Sequence, residues 1–324
     1  MGDGPVHVTL TLDVFSIESV ADGVVQLELR DPAGRPLPRF EPGSHLEVYL
    51  PEDRVRHYSI CNDSRESHRY CIGVALAPNS RGGSRYIHEK IRVGDTLTVS
   101  QPRNNFRLLP DIPGYCFIAG GIGITPILSM VRWCVEQGKR WKLVYCSRSQ
   151  ACAAFRHELR SLAEAGGELT FHFDDEQGGR LLDTAAVSSG LSANTHVYCC
   201  GPPPLMNAVL NSRGTRAADL YHFEWFVPRA LKASLDKEFT LILRSSGKRV
   251  RVPGDRSVLS VLEDLGLSVP FSCREGICGT CETAVLSGVP DHRDSVLTPE
   301  QQKANNSMMI CVSRAQSDTL ELDL

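Results

Sequence analysis

The sequence predicts a multidomain chain: an antiparallel β-barrel, then an α/β domain around a parallel sheet, then a small β-grasp module. Three observations carry this reading. Residues 1–108 are short β-branched runs broken by Gly, Pro and Asp turns, and residues 109–228 alternate strand and helix patterns. Within residues 229–324, Cys273, Cys278 and Cys281 are spaced C-x4-C-x2-C, with Cys311 far downstream. A length of 324 residues suits two or three domains.

Six runs in the first part alternate enough to be strands: Val6–Val14, Val24–Leu29, His45–Leu50, Arg56–Cys61, Tyr70–Leu76 and Thr96–Ser100. One short helix is expected near Ser84–Glu89. Six strands with tight turns close most simply as an antiparallel barrel.

Tyr115–Ala119 opens the second part as a continuous apolar strand, the signature of a strand covered on both faces. Gly120-Gly-Ile-Gly-Ile-Thr125 follows. A helix is expected from Thr125 as N-cap and Pro126 as first helical residue, with Ile127, Met130, Val131 and Cys134 on one face and Gly138 as the stop. Strand Leu143–Cys146, helix Ala153–Ala163 and strands Leu169–Phe173 and His196–Cys200 repeat the pattern, which makes a parallel sheet.

Val227 to about Lys237 reads as the linker. Beyond it, Phe239–Leu243 and Arg249–Val252 form a hairpin pattern, and Ser257 caps a helix bearing Val258, Val261, Leu262 and Leu265. The cysteine loop and two terminal strands complete a β-grasp order. C-x4-C-x2-C followed by a distant Cys is the thiolate spacing of a plant-type [2Fe-2S] cluster. Gly276 and Gly279 permit the tight turns that three converging thiolates need. A zinc site is the competing reading, but it favours two C-x2-C-like pairs or added histidines, and only Cys278 and Cys281 form such a pair. An iron-sulfur cluster moves single electrons, so the remaining chain must contain what feeds it.

Apolar residues make up 42% of the chain and charged residues 23%, with a net charge of −3, so no global basic surface calls for nucleic acid or anionic lipid. No apolar run approaches a membrane span and the N-terminus lacks a signal peptide, so the cytoplasm is the expected compartment. Twelve cysteines without a targeting signal read as cluster ligands plus small buried hydrophobes, not as a disulfide scaffold.

Several weak signals point to the feeder. Arg56-His57-Tyr58-Ser59 offers a guanidinium for phosphate and an aromatic plane for a ring, though an ordinary barrel strand also carries such residues. Period two puts Arg56 and Tyr58 on one face and Ser59 on the other unless the strand bends. Arg81-Gly82-Gly83-Ser84 opens a helix whose N–H groups attract phosphate, and is equally a common turn. Gly120-Gly121-Ile-Gly123 lacks the G-x-G-x-x-G spacing, but its place at a strand's C-terminal end predicts pyrophosphate contact. Cys200-Gly-Pro-Pro-Pro204 ends another strand near the same crevice.

In this order the motifs resemble the ferredoxin-NADP⁺ reductase superfamily, and the appended C-terminal ferredoxin narrows the resemblance. Arg56-His-Tyr-Ser-Ile-Cys-Asn62, Ser80-Arg-Gly-Gly-Ser84, Pro102-Arg-Asn104, His172-Phe-Asp-Asp-Glu-Gln-Gly178, Cys200-Gly-Pro202 and His222-Phe-Glu224 resemble, across nearly the whole chain, the reductase components of Rieske oxygenases. Phthalate dioxygenase reductase and vanillate O-demethylase reductase exemplify that group.

The resemblance implies FMN, NADH and a [2Fe-2S] cluster as cofactors. Arg56 and Ser84 would hold the FMN phosphate, Gly82 and Gly83 would shape its loop, and His57, Tyr58 and Ser59 would lie along the flavin with Ser59 near N5. Gly121, Gly123 and Thr125 would line the NADH cleft, Cys200 would sit beside the nicotinamide, and Phe226 or its neighbour Trp225 would approach the flavin. Cys273, Cys278, Cys281 and Cys311 would ligate the cluster. Arg148 could favour NADPH and Asp174-Asp-Glu176 could oppose it; family habit implies NADH. Electrons would pass from NADH to FMN to the cluster, then to a terminal Rieske oxygenase acting on an aromatic substrate. A cytochrome P450 or diiron monooxygenase is the alternative acceptor. A monomer is expected; Asp291, Arg293 and Asp294 on the ferredoxin rim are candidates for docking the partner, and read equally as ordinary surface loop charges.

Overall fold

A computed structural model describes residues 8–52, 54–77, 82–228 and 236–324. The chain divides into two compact units, His7–Phe226 and, in its C-terminal part, Val227–Leu324.

The first unit begins with β1 (Thr9–Ala21), β2 (Val24–Arg30), β3 (His45–Leu50), β4 (Arg54–Ser59), β5 (Tyr70–Ala75), α1 (Gly83–Lys90) and β6 (Thr96–Ser100). They form one six-stranded sheet in the order β4-β3-β6-β1-β2-β5, and every pairing is antiparallel. Leu12, Leu27, Leu46, Val48, Ile72 and Val99 fill its interior and are almost wholly buried. Each such side chain contributes roughly 1.5–3 kcal/mol of burial. β1 runs to Ala21, well past the expected end at Val14. Its later half pairs with β2 through two register shifts, and such bulges hide the alternation that marks a strand in sequence.

Next come β7 (Tyr115–Gly120), α2 (Ile124–Glu136), β8 (Trp141–Ser147), α3 (Arg156–Glu164), β9 (Glu168–Phe173), α4 (Thr184–Ser189), β10 (His196–Cys200), α5 (Pro203–Asn211) and β11 (Tyr221–Glu224). The five strands form a parallel sheet in the order β11-β10-β7-β8-β9. All six residues of β7 are buried, as a central strand with cover on both faces requires. Chain order reverses between β7 and β10, and ligands of open α/β sheets bind at the carboxyl ends flanking such a reversal.

Two helix starts differ from expectation. A single 3-10 turn over Gly121–Gly123 precedes α2, so Thr125 lies inside the helix and its hydroxyl donates to the Ile122 carbonyl at 2.9 Å. The Thr-Pro pair suggested a cap, but the glycine turn moves the start two residues earlier, to Ile124. α3 begins at Arg156, not Ala153, because Phe155 sits at φ +60 and cannot continue a helix backwards. Gly138, at φ +58, ends α2 with Lys139 N–H donating to the Cys134 carbonyl at 2.8 Å.

The second unit contains β12 (Phe239–Leu243), β13 (Arg249–Val252), α6 (Val258–Asp264), β14 (Glu282–Ser287), β15 (Pro290–Asp291), α7 (Pro299–Ala304), β16 (Ser307–Met309), β17 (Arg314–Ala315) and β18 (Thr319–Leu322). Its main sheet runs β13-β12-β18-β14-β16, with β12 and β18 parallel, and β15 pairs with β17. Ser257 caps α6 by accepting from Ser260 N–H at 3.1 Å. Leu241, Val258, Leu262, Met308, Leu320 and Leu322 build a separate core. Of the expected linker, residues 229–235 lie outside the described residues, as do Ser80 and Arg81 of the Ser80–Ser84 motif and the first two residues of the strand expected over Val6–Val14.

Candidate functional site

The four cysteines come from a loop and a strand end. Arg274, Gly276 and Gly279 all have positive φ, at 58°, 67° and 74°, which coils the chain tightly through the loop. A β-carbon on Gly276 would lie 2.5 Å from a Val312 methyl, so only glycine fits. Pairing of β14 with β16 sets Glu282 opposite Met309, and Ile310 N–H donates to the Cys281 carbonyl at 3.4 Å. That register brings Cys311 beside Cys281. The thiols of Cys273 and Cys278 are in mutual contact, as are those of Cys281 and Cys311 and those of Cys273 and Cys311.

Cys278, Cys281 and Cys311 are buried and Cys273 is half-buried. Cys273 is held below its ordinary pKa by hydrogen bonds from the Cys278 and Cys311 thiols, helped by backbone N–H groups of Ile277 and Glu275. Cys281 is lowered chiefly by Cys311. Glu275 N–H donates to Cys273 Sγ at 3.3 Å. Among the described residues no three His, Cys, Asp or Glu side chains close on a single ion. Two thiol pairs with inward backbone donors fit a two-iron core, which takes two thiolates on each iron.

The residues named as a docking rim are otherwise engaged. Asp294 is buried, and its carboxylate accepts from Val296 N–H at 3.1 Å and Leu297 N–H at 2.8 Å. Arg293 is paired with Asp236 and with Asp291, each at 2.7 Å. The surface charges seen in sequence are structural supports of the loop that packs on Gly276.

In the first unit, β4 carries Arg56, His57, Tyr58 and Ser59 against β3, with Ser59 opposite His45 and Tyr58 opposite Leu46. Tyr58 packs against the barrel core, and burial pushes its hydroxyl up to about 12. Ser59 is buried, and the His57 ring stands 5.3 Å from that of His45. Gly82 precedes α1 at φ +91, and no side chain caps that helix. A β-carbon on Gly83 would lie 2.6 Å from Arg56 Cγ, so the Arg56 side chain lies directly across the start of α1. Ser84 Oγ accepts from Ala77 N–H at 3.3 Å. A guanidinium beside a helix N-terminus and a loop too tight for any side chain form a phosphate-sized cradle.

At the carboxyl ends of β7 and β10 the two chains nearly touch. A β-carbon on Gly123 would stand 2.2 Å from the Cys200 carbonyl oxygen, and one on Gly120 would stand 2.6 Å from Pro202 Cδ. Gly121 differs: at φ +53 it faces open space, with its carbonyl accepting from the Tyr145 hydroxyl at 3.1 Å. The glycine run is therefore partly packing and partly an open turn. Thr125 is buried and points its methyl at the barrel, where a β-carbon on Gly73 of β5 would lie 2.6 Å away.

Cys200 is fully buried, and burial followed by the nearby Glu224 carboxyl raises its pKa well above the ordinary thiol value. Glu224, at the end of β11 opposite Cys200, has a buried Oε2 with no hydrogen-bond partner among the described residues. Burial pushes its carboxyl up to about 8, so at neutral pH it is largely a protonated donor. The site residues proposed from sequence did not include Glu224. Its place one residue before the aromatic pair was the available signal.

Trp225 and Phe226 diverge. Trp225 is buried among Cys116, Ile118, Val197 and Met206 on one face of the sheet. Phe226 packs instead on the cluster that holds Ala119, Ile124, Phe155 and Cys200, together with Cys61 and Cys71 of the barrel. The acidic turn Asp174–Glu176 follows β9 and is tied to the end of β8 by Asp175 N–H donating to the Arg148 carbonyl at 3.1 Å.

Comparison with known proteins agrees with both halves of this geometry. Residues 117–211 match the oxidoreductase NAD-binding domain, and residues 241–316 match the 2Fe-2S iron-sulfur cluster binding domain. The chain is 41% identical to tetrachlorobenzoquinone reductase of Sphingobium chlorophenolicum over 98% of both chains. It is 41% identical to the phthalate 4,5-dioxygenase oxygenase reductase subunit of Pseudomonas putida, over 97% of this chain and 96% of that one. Phthalate dioxygenase reductase, solved as a modular structure for electron transfer from pyridine nucleotides to [2Fe-2S], superposes with a TM-score of 0.70 at 40% identity over 98% of both chains. An intact type IV self-sufficient cytochrome P450 monooxygenase superposes with a TM-score of 0.90 at 37% identity, over 98% of this chain but only 41% of that longer one.

Proposed function

The chain belongs to the phthalate dioxygenase reductase family, and from that premise we propose how its residues carry electrons from NADH, through FMN and a [2Fe-2S] cluster, to a Rieske-type terminal oxygenase acting on an aromatic compound. It is an NADH-dependent flavin iron-sulfur oxidoreductase. When bound, the flavin would supply the conversion of a two-electron hydride donor into single electrons that an iron-sulfur cluster can carry.

The protein's part is to bind, orient and exclude water. Arg56 and the opening of α1, with Gly82, Gly83 and Ser84, would hold the flavin phosphate. Tyr58 would face the flavin ring, with His57 and Ser59 bordering it, and Phe226, beyond the end of β11, would approach it from the cluster that holds Ala119 and Cys200. The open turn at Gly121 receives the dinucleotide, while Gly123 and Thr125 fix the floor of the cleft. Cys200 and the carboxyl of Glu224 would line the nicotinamide end, where neither group brings a positive charge to oppose the one that hydride departure leaves on the ring. Cys273, Cys278, Cys281 and Cys311 would hold the cluster, two thiolates to each iron. Three functional parts follow, over residues 1–108, 109–228 and 229–324.

The observation that carries this reading is the run of thiol contacts linking Cys278, Cys273, Cys311 and Cys281 in the second unit; the first unit separately holds a sheet reversal whose carboxyl ends meet at Gly123 and Cys200. Among the described residues no helix is long and apolar enough to cross a membrane. A monomer in the cytoplasm completes the proposal. One experiment tests it: the purified chain releases FMN rather than FAD on extraction, and NADH reduction yields a two-iron EPR signal. Absence of both would overturn the reading.

A second acceptor is favoured by one finding. The long self-sufficient P450 superposes closely, so this scaffold is compatible with an electron path to haem. Reconstitution with purified Rieske oxygenase and P450 partners separates the two. Faster coupled turnover with the P450 would displace the first reading.

A further inference from the structure

The flavin reading leaves one arginine at the phosphate end without a part. Arg54 opens β4 two residues before Arg56, and period-two geometry puts both on one face of the strand. Each lies against one of the two glycines that begin α1. A β-carbon on Gly82 would stand 3.0 Å from Arg54 Nη1 and 3.1 Å from its Cζ, while one on Gly83 would stand 2.7 Å from Arg56 Nε. The two guanidinium groups therefore sit side by side over the same turn, where Gly82 has φ +91 and the helix has no side-chain cap.

The charges are unequal to a single arginine. A phosphate monoester carries about −1.5 to −2 charges at neutral pH. One guanidinium offsets about half of that, and a second, forked and always ionised, completes the match. Arg54 is tethered by the Glu52 carboxylate, whose side chain is 76% exposed and so leaves the guanidinium only weakly committed. Arg56 instead anchors one nitrogen on its neighbour, with Nη1 donating to the Val55 carbonyl at 2.8 Å.

We propose that Arg54 is a second guanidinium for the FMN phosphate, a positioning residue that gives this site its preference for flavin bearing a terminal monoester. The inference rests on the FMN reading and goes beyond the Arg56-to-Ser59 motif, which excludes Arg54.

The test compares FMN and riboflavin binding to the full-length chain stripped of flavin, with the cluster intact, followed by quenching of flavin fluorescence. Arg54→Gln is expected to raise the Kd for FMN about tenfold or more, as loss of a charge-assisted contact implies. The Kd for riboflavin stays unchanged, and Arg54→Lys falls between. The ³¹P resonance of bound FMN shifts in Arg54→Gln. An unchanged ratio of the two Kd values, or equal weakening of both flavins, overturns the role of Arg54. Wild-type protein that binds both flavins equally overturns the phosphate-site reading itself. Cluster absorbance and thermal unfolding confirm that the variant is folded.

Discussion

Gly123 rests on the backbone of Cys200, so closely that a β-carbon at 123 would come within 2.2 Å of the Cys200 carbonyl oxygen. The contact joins the carboxyl ends of β7 and β10 where the sheet reverses. It makes this end of the sheet, where we propose that the dinucleotide binds, a backbone-on-backbone junction with no room for adjustment.

Gly123→Ala should therefore disturb NADH use without unfolding the barrel or the cluster unit. Overpacking of this kind costs about 1–3 kcal/mol. If it is felt as misplacement of nicotinamide, hydride transfer slows by about ten- to a hundredfold. Stopped-flow reduction of the flavin measures it, and an unchanged rate would show the contact to be slack.

Glu224 should give the first unit a pH dependence of its own. Its carboxyl titrates near 8 in the fold, against an ordinary value of 4.5. A raised folded value means that its contribution to stability is complete below about 4.5 and is lost as pH rises through about 8. Thermal unfolding of wild type should thus lose ground to Glu224→Gln between pH 5 and roughly 8.5. Parallel melting curves across that range would refute the assignment.

The cluster should be separable from flavin chemistry. Cys311→Ser removes one thiolate, and reduction of cytochrome c by NADH should fall by about a hundredfold or more, while ferricyanide reduction, which draws directly on flavin, persists. Loss of both activities together would mean that Cys311 supports the whole fold and not the electron exit alone.

Asp294 should matter through the loop it ties. Its buried carboxylate accepts two backbone N–H groups at 3.1 and 2.8 Å. Asp294→Ala strands them at about 1–3 kcal/mol. The expected result is faster bleaching of the cluster on warming, with flavin retention unaltered. A wild-type bleaching rate would return Asp294 to the solvent-facing role that its sequence suggests.

Much of this architecture was legible in the chain itself. The apolar run Tyr115–Ala119, the Gly138 stop and the cysteine spacing each encode one local requirement, and local requirements can be read without neighbours. What escaped notice depends on contacts distant in sequence. Thr125 looks like a cap, but the glycine turn moves the helix start and Gly73 of β5 receives its methyl. Asp291, Arg293 and Asp294 look like a solvated run, yet Asp236, Ser313 and the loop amides consume them. Glu224 closes the His222-Phe-Glu224 motif, but the motif alone assigns it no chemistry; burial opposite Cys200 does.

The divergence of Trp225 and Phe226 has a consequence for anyone remodelling this protein. Adjacent rings point to opposite sides of the sheet because β11 pairs in fixed register with β10, Val197 to Tyr221 through Cys200 to Glu224. Adding or removing one residue within that stretch would exchange the rings, sending an indole toward the cluster around Ala119 and Cys200 and a phenyl into a space built for a larger group. Indels here should prove far less forgiving than substitutions, and grafts between homologous sequences are best joined outside this tetrapeptide.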